Sequence, residues 1–581
     1  MALGLPDISG AATGEVVYAI KLAGQDLPGE NGLLSLVVER TMNKIASANL
    51  IVQDDDTGDE PYALSNQAFT KPGSEVEITA GYGEETETIF KGIIVSQRMK
   101  IDKRRSVMIL ECKDKAVKMT MIKKSAYFYE MKDSDVWSQL IADAGLTAES
   151  EATTVTHKEM VQYNATDWDF MLCRAEANSM LAITTDGTIK LMKPVASGTA
   201  VVTAKYGDNV FEFDADMDAR TQLKNVAFSA WDAAAQEMAK EESAEPSMVS
   251  NGDVTGEDLS KAVSDKPFTI THSGKIDTDE MKSFADAKLT KSRLAKMRGR
   301  VKVQGTAAVK PGDVVTLDGF GDRFNGDVMA TAVRHEIVKG NWLTDIQFGG
   351  SANWYAQDAT VNDPPAASML PAIQGLQIGV VTALESDPEG ENRIKVKIPV
   401  ISADEEGIWT RQATLDAGDT RGWVIRPEIG DEVIVGFINN DPREAVVLGS
   451  LHSSAKAPPI PGKDDNHEKG WTTRSGIKIL VDDDKKIIEI STPAGNKLVM
   501  DEDQKKITIT DQNNNSIEMS SDGVKIESAK DIILKATGDI KAEGINIENK
   551  ASAAFKAEGS GSAELKSSGQ TTVKGSMVMI N

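Results

Sequence analysis

From Arg474 onward the chain repeats itself. Aligning RSGIKILVDDDKKIIEIS with PAGNKLVMDEDQKKITIT and NNNSIEMSSDGVKIES puts Ile479, Leu498 and Ile517 in one column and Val481, Met500 and Met519 in a second. Asp484, Asp503 and Asp522 fall at the turn, and every column steps by 19 residues. Beyond this the period tightens. Val524, Ile532 and Ile540 step by 8, and after one 7-residue step Ile547, Phe555, Ala563 and Thr571 step by 8 again. Short β runs with glycine corners imply a β-solenoid or β-prism. From Trp471 to Asn581 only Trp471 and Phe555 are aromatic, so a core of large side chains is excluded. The apolar stripe is too narrow to offset the ordering entropy of one chain, whereas three chains wrapped together bury every stripe on a common axis. An intertwined homotrimer is the expectation, as a stiff rod on the order of 60 Å long from a dozen strand-length runs. Its last residues, GSMVMIN, alternate Met577 and Met579 with Val578 and Ile580. That apolar end is either the final strand's core or a docking surface for a cap.

The 64 Lys+Arg against 89 Asp+Glu give a net charge of −25, which argues against nucleic-acid binding because phosphate neutralisation needs a basic face. The repeat region holds 15 basic and 17 acidic residues, so the acidity belongs to the first 470 residues. Cys112 and Cys173 cannot make a disulfide framework and suit a reducing cytosol. The opening MALGLPDISGAATGEVVYAI lacks a basic n-region and an apolar h-region, and no run reaches about 18 apolar residues. A protein made in the cytoplasm without a signal peptide is expected.

Residues 1 to about 125 predict strands at Val16–Ile20, Leu33–Val38, Ala48–Val52, Val76–Ala80, Ile89–Val95 and Val107–Cys112. A helix is expected from about 132, capped by Asp133 or Ser134, with Val136, Leu140 and Ile141 on one face and Gly145 at its end. A second starts at Thr166, with Asp169 three positions on and a face of Phe170, Cys173 and Ala177, which makes Cys173 a core residue rather than a nucleophile. Segment 232–265 is polar and acidic and reads as a mobile insertion or linker. A helix over Asp277 to Met297 precedes strands at Arg300–Gln304, Val314–Leu317, Asp327–Ile337 and Asn341–Phe348. Gln357 to Gly375, rich in proline and small residues, marks a domain boundary.

About 80 residues follow that fit a small Greek-key barrel such as an OB-fold, built from QIGVVTAL, RIKVKIPV, GIWTRQATL, GWVIRP, DEVIVGFI and AVVLGSL. The expected fold class is mainly β. It has N-terminal β-barrel-like hub domains with a few helices, an OB-fold and a C-terminal trimeric β-prism or β-helix. The boundaries are 1–365 for a base of two β-rich subdomains, 373–455 for the OB-fold, 456–470 for a linker and 471–581 for the needle.

The barrel carries Trp409 and Arg411 in a Trp-x-Arg strand, and Gly418 in an Ala-Gly turn. Pro427, Glu428, Gly430, Asp431 and Glu432 follow in a PEIGDEV run, then Asp441 and Pro442 in a hairpin and Gly449 in LGSL. In these motifs and their order the chain resembles the VgrG spike proteins of type VI secretion systems and their relatives in phage tails and extracellular contractile injection systems. Glu444-Ala445 stands where the family usually has a proline, and QYNATDWDFMLCRAEANSM resembles the family's helix-entry motif more weakly. The resemblance implies a trimer whose N-terminal domains form a pseudo-sixfold base on a hexameric inner tube, in contact with baseplate components. Sheath contraction would drive the needle through a target envelope in transient contact with its membrane. A PAAR-type tip protein would sit at the C-terminal end, so Met577, Val578, Met579 and Ile580 become candidate tip contacts, and effectors could ride as cargo.

The expectation is a non-enzymatic protein with no cofactor and no metal. About twenty residues between Leu451 and Trp471 are too few for an inserted glycosidase. Asp404, Glu405 and Glu406 are adjacent acids but read as solvated. His157, His272, His335, His452 and His467 are scattered without ligand spacing. The turns at Asp482–Asp484 and Asp501–Asp503 read as solvated corners rather than calcium sites. The alternatives are a trimeric β-helical tail fibre or adhesin, and a carbohydrate-active β-solenoid enzyme.

Overall fold

The computed structural model of the chain describes residues 14–27, 32–54, 62, 64–103, 105–357, 361 and 364–580. The export-signal reading rests largely on the first thirteen residues, which lie outside the described residues, as do Asn581 and positions 358–360, 362 and 363 of the boundary stretch. Strand makes up 41% and helix 12%, so the chain is mainly β. It divides into two compact units, Met1–Ala372 and Ile373–Asn581.

In the first unit, strands with inward apolar residues add up to a 13-stranded sheet. Val16–Leu22, Leu33–Thr41, Ser47–Gln53, Glu75–Tyr82, Glu85–Ile101 and Ser106–Lys113 contain the six strands expected first. Met297–Gln304, Val314–Asp318, Gly326–Val338 and Asn341–Phe348 contain the four expected later. Leu36, Leu50, Ile78 and Leu110 belong to one core, and Val301, Val315, Val333 and Ile346 to another. The two sets of strands join where His335 pairs with Val38 across Gly326–Val338 and Leu33–Thr41. The strand expected at Ile89–Val95 runs on at both ends into charged sequence, which apolar alternation does not mark.

Helix α1 (Asp133–Asp143) buries Val136, Leu140 and Ile141, and Gly145 follows it with a left-handed φ of +72°. Neither Asp133 nor Ser134 caps it. Lys132 flanks the helix, and Asp133 is its first residue, with its carboxylate turned inward to bond Arg174 and Asn178. Helix α2 (Asp167–Ala177) starts as expected, with Thr166 Oγ1 accepting from the Asp169 N–H at 3.0 Å. Its buried face is Trp168, Met171, Leu172 and Ala175, so Phe170 and Cys173 sit half-buried at the flank of the core rather than in it.

Segment 232–265 is a structured part of the unit and not the insertion expected. Glu237–Glu242 pairs antiparallel with Val226–Asp232 and helix α3 (Gly256–Val263) is capped by Thr255, so turn chemistry and cross-strand pairing impose order that apolar periodicity alone does not signal. Helix α4 (Thr278–Leu294), with Asp277 as N-cap, packs Met281, Ala285 and Leu289 against Val226 and Phe228. It ends before Met297, which begins the next strand.

In the second unit, Gln377–Ala383, Ile394–Lys397, Ile408–Gln412, Ala445–Ser450 and Glu432–Phe437 close into a five-stranded barrel. GWVIRP contributes no strand to it. Only Arg421–Gly422 pairs, in a two-residue hairpin with Ala417–Gly418, and Trp423, Val424 and Ile425 stand exposed. Seven strands follow in sequence order, from Glu468–Thr472 to Gly523–Glu527. Each 19-residue repeat is therefore two strands and their turns. The last hairpin turn is two residues shorter than the earlier two, which is where the period begins to tighten. From 528 to 580 the described residues form no strand, so the eight-residue runs make no ladder there.

Candidate functional site: the barrel motif and the apolar sheet face

The barrel's inner face is Val381, Ile394, Val396, Val433, Val435 and Val447, so Val433 and Val435, alternate residues of one strand, both point inward. The motif residues build its rim. Trp409 pairs with Lys395, whose Nζ lies 5.7 Å from the indole centroid, and Arg411 is exposed beside Val446. Gly418 lies in the small hairpin, under the guanidinium of Arg421. Pro427 is buried, and Glu428 to Asp431 close a turn in which the Asp431 N–H donates to Glu428 O at 3.0 Å. Gly430 takes φ +85° there, and its N–H donates to Val381 O at 2.8 Å. Glu432 opens the next strand opposite Val380.

At the far hairpin Asp441 holds Arg443 in a fork, Nε to Oδ1 at 3.0 Å and Nη2 to Oδ2 at 2.6 Å. The bonds from Arg443 take its carboxyl down to about 2. Pro442 is half-buried within that turn, and Gly449 pairs with Ile434. The motif is thus a set of turn and rim positions, not a convergent chemical site. Asp404, Glu405 and Glu406 are exposed, with Glu406 taken by Lys395. Among the described residues no group of three or more His, Cys, Asp or Glu is arranged to hold a metal ion.

The C-terminal sheet carries the larger feature. Its cross-strand pairs align Trp471, Ile479, Ile490, Leu498, Ile509, Ile517 and Ile526 in one row across seven strands. A second row runs Val481, Ile488, Met500, Ile507, Met519, Val524. Two predicted columns lie in these rows, and the aspartate column lies at the turns. Both rows point to one side, while Leu480, Glu489, Val499, Thr508, Glu518 and Lys525 point to the other, which is mixed and ends in polar residues. The apolar side is open, and farther on Ile533 is 82% and Phe555 67% exposed. Met577, Val578, Met579 and Ile580 are exposed too, with no ladder around them. The exposed apolar loop Trp423–Ile425 was read from sequence as a strand, and its lack of turn signals hid it.

Residues 12–339 match the Alg8 N-terminal domain family, over more than half of the chain. Residues 377–452 match the type VI secretion system/phage-baseplate injector OB domain. The actin cross-linking toxin VgrG1 of Vibrio cholerae is 30% identical over 100 residues, 15% of this chain and 9% of that protein. The type VI secretion system spike protein VgrG5 of Pseudomonas aeruginosa is 34% identical over 107 residues, 16% of this chain and 13% of that one. The matches thus span a small part of both curated relatives. Among solved structures, a tail protein from Neisseria meningitidis MC58 aligns with a TM-score of 0.44 at 14% identity, covering 59% of this chain and 98% of that one. Residues 377–452 thus resemble the OB domain of VgrG-type spike proteins of contractile injection systems, and the chain belongs to the Alg8 N-terminal domain family.

Proposed function

We propose that the chain is the homotrimeric central spike of its machine and that it works mechanically, without a catalytic step. Its N-terminal unit caps a hexameric inner tube and meets baseplate components. Its repeat forms the needle that sheath contraction drives through a target envelope, with a PAAR-type protein seated on Met577 to Ile580 and effectors carried as cargo. It is made in the cytoplasm and leaves as part of the particle, touching the target membrane only in passing. Among the described residues no helix is long and apolar enough to cross a membrane.

The observation that carries this reading is the open apolar face from Trp471 to Ile526. Burying an isoleucine completely contributes about 1.5–3 kcal/mol, so covering the part still exposed at Ile479 (39%), Ile490 (43%) or Ile509 (44%) contributes on the order of 1 kcal/mol each, and the two rows together outweigh a surface ion pair such as Lys506–Glu518, worth about 0–1 kcal/mol. Three copies related by a common axis can turn these faces toward one another. The same arrangement supplies, from other copies, the strand neighbours that residues 528–580 lack in their own. Acids in the barrel are held by arginines, Asp387 by Arg393 and Asp441 by Arg443, which favours a structural role for them.

The test is the mass of the full chain in solution. A homotrimer has three times the 62.4 kDa of one chain. A monodisperse monomer under assembly conditions would refute the reading.

A further inference from the structure

The 17-residue strand Glu85–Ile101 carries opposite charge at its two ends. The turn that opens it exposes Glu84 and Glu85, and Glu87 follows on the strand. The turn that closes it, where the Arg105 N–H donates to Asp102 Oδ1 at 3.2 Å, exposes Lys103 and Arg105, with Arg98 and Lys100 on the strand before it. Among the described residues none of these seven has an ion-pair partner, although Lys91 in the middle of the same strand pairs with Glu77, and Lys113 and Lys115 on the next elements pair with Glu111 and Glu75. The contour between the ends is roughly 50 Å, so they cannot neutralise each other within one copy.

Charges at a strand end commonly serve only to keep an exposed edge soluble. That accounts for either sign but not for their segregation, with four cations gathered at one end in a chain of net charge −25. A heterologous contact between identical copies places two different patches together, and it closes into a ring when the rotation allows.

We propose that the acidic end of this strand in one copy docks on the basic end in the next, so that three such contacts close a ring within the base. This rests on the trimer proposed above. Exposed ion pairs contribute little each, so the contact sets the orientation and register of neighbouring copies while the apolar needle holds the trimer. It weakens with salt, since exposed charges are screened over about 8 Å at physiological ionic strength.

The experiment uses the full chain with E85C and K103C together, oxidised mildly with diamide, and weighed in solution beside the single variants. A disulfide needs Cα atoms about 4–7 Å apart, so only a contact between copies can form it. The expected result is a trimeric mass with a covalent trimer on denaturing gels, absent from both single variants. Adding R98E and K100E lowers the yield about tenfold, and adding E84K and E87K to those restores it. A trimeric mass without covalent trimer overturns the ring contact and leaves the trimer standing. The same holds if yield is unchanged by charge reversal. A monomeric mass overturns the trimer and the ring together.

Discussion

Ile490 and Leu498 stand opposite each other on neighbouring strands of the C-terminal sheet, and Ile490 keeps 43% of its surface exposed. Among the described residues none covers that exposed part. On the homotrimer proposed above, I490D should convert the chain to the mass of a single copy, because three carboxylates would then face one apolar axis. T508K, on the other side of the sheet beside Glu518, should leave the mass unchanged. Light scattering after gel filtration separates the two outcomes.

Removing the apolar end tests a different surface. The double substitution M577D/M579D should leave the trimer intact and abolish binding of a PAAR-type tip protein, measured by co-purification. Undiminished binding would place the tip contact elsewhere.

Gly407 opens the Trp409 strand with φ +89°, and a Cβ there would lie 2.0 Å from Val396 O. Both the left-handed backbone and the clash oppose any side chain. G407A should destabilise the barrel by about 1–3 kcal/mol or more, seen as a lower midpoint in denaturant unfolding of the full chain with its mass in native solution unchanged.

Asp133 is 2% exposed at its side chain and receives Arg174 Nε at 2.6 Å and Nη2 at 3.0 Å, with His157 Nε2 3.0 Å away. Burial alone would raise its carboxyl, but the bonds from His157 and Arg174 outweigh it and hold the group at about 2. A folded value below the unfolded one means the stabilisation is present above about pH 4 and is lost as pH falls toward 2, some 2 kcal/mol in all. D133N should remove this acid dependence and also cost about 1–3 kcal/mol at neutral pH, since Arg174 loses its buried carboxylate partner and keeps only Glu280, at 3.1 Å. Unfolding free energies at pH 7 and pH 3 for both proteins give the comparison.

Burial pushes the Cys173 thiol up to about 11 and the Cys112 thiol up to about 12. At pH 8 the thiolate population of Cys173 is then roughly 100-fold below that of an ordinary cysteine. Alkylation by iodoacetamide should be slow in the native protein by about that factor and fast once it is unfolded. Rapid native labelling would show that Cys173 is poised for chemistry.

Much of the fold is legible because its signals are local. Thr166 caps α2 through Asp169 because a short hydroxyl side chain reaches the third N–H of a helix whatever surrounds it. Val433 and Val435 point into the barrel because alternate residues of a strand must face the same way. What failed were places where a non-local partner decides. Asp133 resembled a helix cap in sequence, but Arg174, forty-one residues away, draws it inside. GWVIRP has the composition of a strand and finds no ladder in its own copy.

The C-terminal repeat by itself determined that Ile479, Leu498 and Ile517 share a row, since a fixed 19-residue step over paired strands permits nothing else. Tertiary structure decided that the side this row faces stays open in a single copy, and that the strand beginning at Glu85 extends to Ile101 with its charges sorted to opposite ends. Burial and charge separation depend on what lies across space from a residue, and a repeat along the chain carries no record of that.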